Sequence, residues 1–66
     1  MEIVVNGEMR DVPDDTSISS LLEVLNVTSR GIAVEVNMQL VARANHAEHR
    51  LSRGDHVEIV TLVGGG

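Results

Sequence analysis

The sequence predicts an α+β domain in which a mixed sheet of four to five strands carries one main helix on one face. Three observations predict it. Apolar residues alternate with polar ones in the second half of the chain, which marks strands. A β-branched run opens the chain, and between these segments apolar residues recur at helical spacing. The chain has 66 residues, and a domain of that size buries only about 60% of its unfolded surface. Little room remains for a deep cleft beside a core, which counts against a self-sufficient enzyme.

Each element follows in turn. Ile3, Val4 and Val5 form the first strand. Asn6 and Gly7 both tolerate positive φ, so they favour a type I′ hairpin turn. Residues 8–12 return as a second strand with Met9 available to the core, and Pro13 with Asp14 and Asp15 ends it. Ile18, Leu21, Leu22 and Leu25 then stand at i, i+3, i+4 and i+7, one face of a short helix. Thr16 or Ser17 is placed to cap its N-terminus, Asp14 and Asp15 to complement its dipole, and Asn26 to stop it in a left-handed conformation. Two to three turns, about the length available, need a sheet to pack against.

Period two returns at Ile32, Val34 and Val36, alternating with Ala33 and Glu35. Asn37-Met38-Gln39 reads as a turn, with Met38 the weakest turn former of the three. Leu40 and Val41 suggest a short fourth strand, and residues 43–50 hold at most one irregular helical turn. A turn at residues 52–55 leads to the last strand, residues 56–63. There Val57, Ile59, Thr61 and Val63 share one face, and Val60 and Leu62 the other. The expected organisation is a domain over residues 1–63 and a flexible glycine tail over residues 64–66.

Composition narrows the function. Cysteine is absent, so no disulfide staples the fold and no thiolate acts as nucleophile, which suits a reducing cytoplasm. No basic segment precedes an apolar run at the start, and no apolar stretch nears the ~20 residues that span a bilayer. Ten acidic residues against five basic ones give a net charge of −5, which repels phosphate backbones. Phe, Tyr and Trp are missing, so nothing stacks on bases. The expected partner is a protein with a basic docking surface, not nucleic acid or a membrane.

Gly64, Gly65 and Gly66 follow the last apolar strand and hold half of the six glycines. Such a tail is either a frayed end or a thin arm that enters a narrow channel where wider residues would not fit. The reactive group of that arm would be the α-carboxylate of Gly66. A carboxylate is a poor acyl donor, but ATP can convert it to an acyl-adenylate. A sulfur nucleophile can then displace AMP and leave a thiocarboxylate.

Around this tail the chain resembles the ubiquitin-like sulfur carriers, above all the ThiS family of thiamine biosynthesis. The resemblance rests on Met1-Glu2-Ile3-Val4-Val5-Asn6-Gly7, on Thr16-Ser17-Ile18 with Leu21-Leu22, and on Ile32-Ala33-Val34-Glu35-Val36-Asn37. It continues through Gly54-Asp55, Val57-Glu58-Ile59-Val60 and Val63-Gly64-Gly65-Gly66. Many members of the family carry an aromatic residue in the last strand, where this chain has Leu62. The resemblance implies a ubiquitin-like β-grasp fold and a carrier that is not itself an enzyme. It implies that a ubiquitin-activating-like enzyme recognises Gly64 and Gly65 and adenylates Gly66, using ATP and magnesium that this chain does not bind. A cysteine desulfurase or another donor would supply sulfur, and thiazole synthase would consume it.

Other constellations read more simply as structure. His46, His49 and His56 could suggest zinc, but they fall in a polar stretch and a separate element and read as solvated surface. Asp11, Asp14 and Asp15 lack the later Glu of an EF-hand loop. Ser17, Ser19 and Ser20 lack a nucleophile elbow and suit capping. Val60 and Leu62 are either buried on a second side or exposed as a partner-binding patch. Two other functions fit the same tail. One is the carrier of molybdopterin or another sulfur-transfer pathway, although such carriers usually run longer with prolines before the tail, and Pro13 is the only proline here. The other is a ubiquitin-like modifier or interaction module.

Overall fold

The computed structural model describes residues 1–62; the expected place of Val63 on the last strand and the glycine tail, with the boundary between them, lie outside the described residues. The order of elements is β1 (Glu2–Val5), β2 (Glu8–Asp11), α1 (Ile18–Val24), β3 (Ile32–Val36), β4 (Gln39–Val41), a 3-10 turn (Arg43–Asn45) and β5 (His56–Thr61). The strands form one five-stranded sheet in the order β2-β1-β5-β3-β4. β1 and β5 run parallel, and every other neighbouring pair is antiparallel. The last strand in sequence therefore lies at the centre of the sheet.

Local chemistry accounts for the turns. Asn6 and Gly7 take φ of 49° and 82°, the two positive values a type I′ turn requires. Asn37 and Met38 do the same at 52° and 67°, and the Val36↔Gln39 pairing confirms a two-residue loop. Helix α1 is capped at its start by Ser17, whose Oγ accepts the Ser20 N–H at 3.1 Å. At its end Asn26 takes φ 58°. The Asn26 N–H reaches Glu23 O and the Val27 N–H reaches Leu22 O, the paired bonds of a Schellman motif.

The core lies between α1 and one face of the sheet. Ile3, Val5, Ile18, Leu21, Leu22, Val34, Val36 and Val57 are buried in it, joined by Val12 and Leu51. Fully burying a Val, Leu or Ile contributes about 1.5–3 kcal/mol each relative to exposure. The predicted helix stripe is correct: Ile18 and Leu21 are fully buried, and Leu25 packs against the cluster from a half-buried position.

Four expectations are corrected. Met9 is 66% exposed, because its register partner is Val4, on the sheet face away from α1. Asp14 does not serve the helix; its carboxylate stands 3.6 Å from the Met1 α-ammonium, with Asp11 at 3.2 Å. Asp15 turns the chain at φ 65°, and no acidic residue enters the first helical turn. β5 runs His56–Thr61 and Leu62 already lies outside it, so the expected strand is shorter within the described residues. His46 is buried, not solvated, with 3% exposure. Its Nε2 lies 3.0 Å from Val41 O, so Nε2 carries the proton that this carbonyl accepts, and Nδ1 is buried without a partner. The His46 and His49 carbonyls also accept N–H bonds from Ser19 and Ile18, so residues 46–49 clasp the start of α1.

Candidate functional site

β5 is the strand that leads to the glycine tail, and three polar clamps fix it. Asn37 Oδ1 accepts the His56 N–H at 2.9 Å, and its Nδ2 donates to Asp55 Oδ1 at 3.0 Å. Asp55 Oδ2 in turn accepts the Ser52 N–H at 2.8 Å, closing the turn before the strand. Midway along, Asn6 Oδ1 accepts the Ile59 N–H at 2.8 Å. The last described tether is the Leu62 N–H to Gly31 O at 2.7 Å. A strand at the centre of a sheet, pinned at its entry and middle, gives whatever follows it a defined point of departure.

Alternation decides what the strand displays. Val57 is buried under α1, so His56, Glu58, Val60 and Leu62 share the opposite, open face. Val60 pairs with Ala33, and Glu58 with Glu35, which pairs in turn with Leu40 of β4. Val60, Leu62 and Leu40 are 48%, 57% and 70% exposed. No second layer covers this face among the described residues, so Val60 and Leu62 are exposed patch and not second-side burial. Like charges directly opposite on a sheet disfavour pairing, yet Glu35 and Glu58 are register partners. Both ion pairs among the described residues involve the Met1 ammonium, so among those residues neither glutamate is neutralised. The face is apolar with an acidic centre, and its complement is an apolar surface carrying a cation.

The other candidates separate. His46 is buried, His49 half-buried and His56 exposed at the foot of β5. Among the described residues no group of three or more His, Cys, Asp or Glu could hold a metal. Ser17 is spent on the cap, and its hydroxyl donates to Ser20 Oγ. A surface groove between β4 and the 3-10 turn is lined by Leu40, Val41, Asn45, Glu48 and His49, without a nucleophile and base in contact. Gly64, Gly65 and Gly66 lie outside the described residues. Leu40 and Asn6 were not singled out as site residues in the sequence. The alternation of β4 could have found Leu40; nothing short of the tertiary pairing shows the Asn6–Ile59 bond.

One helix on a five-stranded mixed sheet with parallel β1 and β5 at its centre defines a ubiquitin-like β-grasp domain. The ThiS family model matches residues 3–66, and the chain belongs to the ThiS family. It is 29% identical to the sulfur carrier protein ThiS of Escherichia coli strain K12 over the full length of both. It is 39% identical over all 66 residues to a thiazole synthase of Paramagnetospirillum magneticum, but spans only 20% of that protein. The crystal structure of the thiamine biosynthesis protein ThiS from Geobacter metallireducens superposes with a TM-score of 0.87 at 29% identity, covering all of both chains.

Proposed function

We propose that this chain is a sulfur carrier of thiamine biosynthesis, working through a carboxylate at Gly66. The observation that carries the proposal is the match to the ThiS family, which runs through the diglycine to residue 66. The full-length likeness to a sulfur carrier protein supports it. The chemistry belongs to partners. An adenylating enzyme attaches AMP from ATP, with magnesium, to the Gly66 carboxylate and releases pyrophosphate. The persulfide of a donor such as a cysteine desulfurase then displaces AMP to give an acyl disulfide, and a thiol reductant cleaves its S–S bond to leave the thiocarboxylate. Gly64 and Gly65 let the backbone pass through a channel too narrow for side chains. Val60, Leu62 and Leu40, with the unneutralised Glu35 and Glu58, form the docking face for a basic partner surface.

The acceptor follows from the same comparisons. Two thiazole synthases, of Paramagnetospirillum magneticum and Magnetococcus marinus, contain a segment that resembles this whole chain, which favours thiazole synthase as the enzyme that consumes the sulfur. The test is intact-mass measurement after incubation with the adenylating enzyme, ATP and a sulfur source. The expected result is exchange of one terminal oxygen for sulfur, lost on deletion of Gly66 with the fold unchanged. Sulfur gain by the truncated chain would place the site elsewhere. Isopeptide-linked ladders on a gel would instead support a modifier.

A further inference from the structure

The β-ladders around β5 do not end together. On the β3 side, Asn37 N–H reaches His56 O and Leu62 N–H reaches Gly31 O. Those bonds set the antiparallel register in which the even-numbered residues of β5 are the hydrogen-bonded ones, from 56 to 62. The odd-numbered residues therefore present their N–H and C=O groups to the other side. There β1 receives them only at first: Val4 N–H reaches Asp55 O and Asn6 N–H reaches Val57 O. β1 then leaves through the Asn6–Gly7 turn to pair with β2. The Asn6 side chain takes the Ile59 N–H as the chain departs. Beyond it the Ile59 C=O and the Thr61 N–H and C=O face a side from which the neighbouring strand has gone. The β1–β5 register ends at Val5↔Val57, and no turn, loop or side-chain bond to these groups occurs among the described residues. A central strand thus becomes an edge strand over its last residues, immediately before the tail.

We propose that this half-edge, Ile59 to Thr61, is the place where an extended backbone segment of the adenylating enzyme adds to the sheet. The occupant is one strand, because the vacant groups are a carbonyl, an N–H and a carbonyl in sequence, the pattern a strand satisfies. Continuity with the tail favours the enzyme that handles Gly66, since the added strand would hold β5 extended as it enters the active site. Asn6 is the positioning residue: by bonding the Ile59 N–H it ends the internal ladder at the residue whose C=O is the first vacant group. The proposal rests on the sulfur-carrier role stated above.

Hydrogen exchange in the free chain reads the edge without any enzyme. The Thr61 amide should exchange faster than those of Glu58 and Val60, which bond β3; a Thr61 amide as protected as its neighbours overturns the proposal. On adding the adenylating enzyme and ATP, Thr61 protection should rise at least about tenfold, the effect of one backbone hydrogen bond. Thr61→Pro removes only the outward N–H, and should load sulfur about tenfold more slowly while melting as wild type does. Thr61→Ala keeps that N–H and should load normally, whereas Val60→Pro breaks the β3 ladder and should destabilise the fold. If wild type and Thr61→Pro load at equal rates, with Thr61 exchange unchanged in the complex, the half-edge is not the docking strand and the carrier role stands. If wild type takes up no sulfur, the carrier role falls and this occupant falls with it.

Discussion

At the scale of single residues, two side chains do more than their sequence neighbourhoods suggest. Asn6 supplies the positive φ of a hairpin turn and also the acceptor for Ile59 N–H, 53 positions away. Asn6→Ala should cost about 1–3 kcal/mol, from left-handed strain and an N–H without its partner. Asn6→Gly keeps the turn and loses only the bond, so it should cost less than Asn6→Ala; urea melts of both variants check the order. His46 is the second case. Its ring is buried and bonds Val41 O, so His46→Ala should destabilise by about 2–4 kcal/mol through cavity and lost bond together. His56 is exposed, and His56→Ala should fall within about 0.5 kcal/mol of wild type. Equal midpoints for the two variants would contradict the burial.

At the scale of elements, the two hairpin turns contrast. Asn6-Gly7 has the residues a type I′ turn prefers, while Asn37-Met38 places an ordinary side chain at φ 67°. Met38 is 90% exposed, so no buried contact offsets the strain. Met38→Gly should stabilise by roughly 0.5–1 kcal/mol, relief of the left-handed cost less glycine's entropy. The chemical denaturation midpoint should rise with an unchanged slope. Helix α1 has only seven residues, too few to persist alone, and depends on both caps and on the sheet. Ser17→Ala should cost about 1 kcal/mol by the same measurement.

At the scale of the whole molecule, one face of the sheet is occupied by α1 and the other is left open among the described residues, and β5 at the centre of that sheet precedes the tail in the chain. Val60→Asp should weaken association with the adenylating enzyme by about tenfold or more. It should change the melting midpoint little, because Val60 is 48% exposed. Glu35→Lys places a cation where the partner surface is expected to carry one, and should weaken association most at low salt. Titration by calorimetry at two salt concentrations reads both; unchanged affinity in each variant would remove the open face from the docking surface.

Much of this was legible along the chain, because hairpin turns, helix stripes and strand alternation are local, set by side chains two to four positions apart. The Asn6-Gly7 turn, the Ile18-Leu21-Leu22-Leu25 stripe, the Asn26 stop and the order of all five strands follow from such spacings. The diglycine and the motifs around it pointed to the family for the same reason. What spacing does not contain is which strands become neighbours. Only tertiary pairing placed β5 between β1 and β3, turned Met9 outward, buried His46 and, among the described residues, left Ile59 and Thr61 with no strand on the β1 side. Those outcomes depend on hydrogen bonds and packing between residues far apart in the chain. No local pattern encodes them, because the same alternation is satisfied by any strand order that buries the same face.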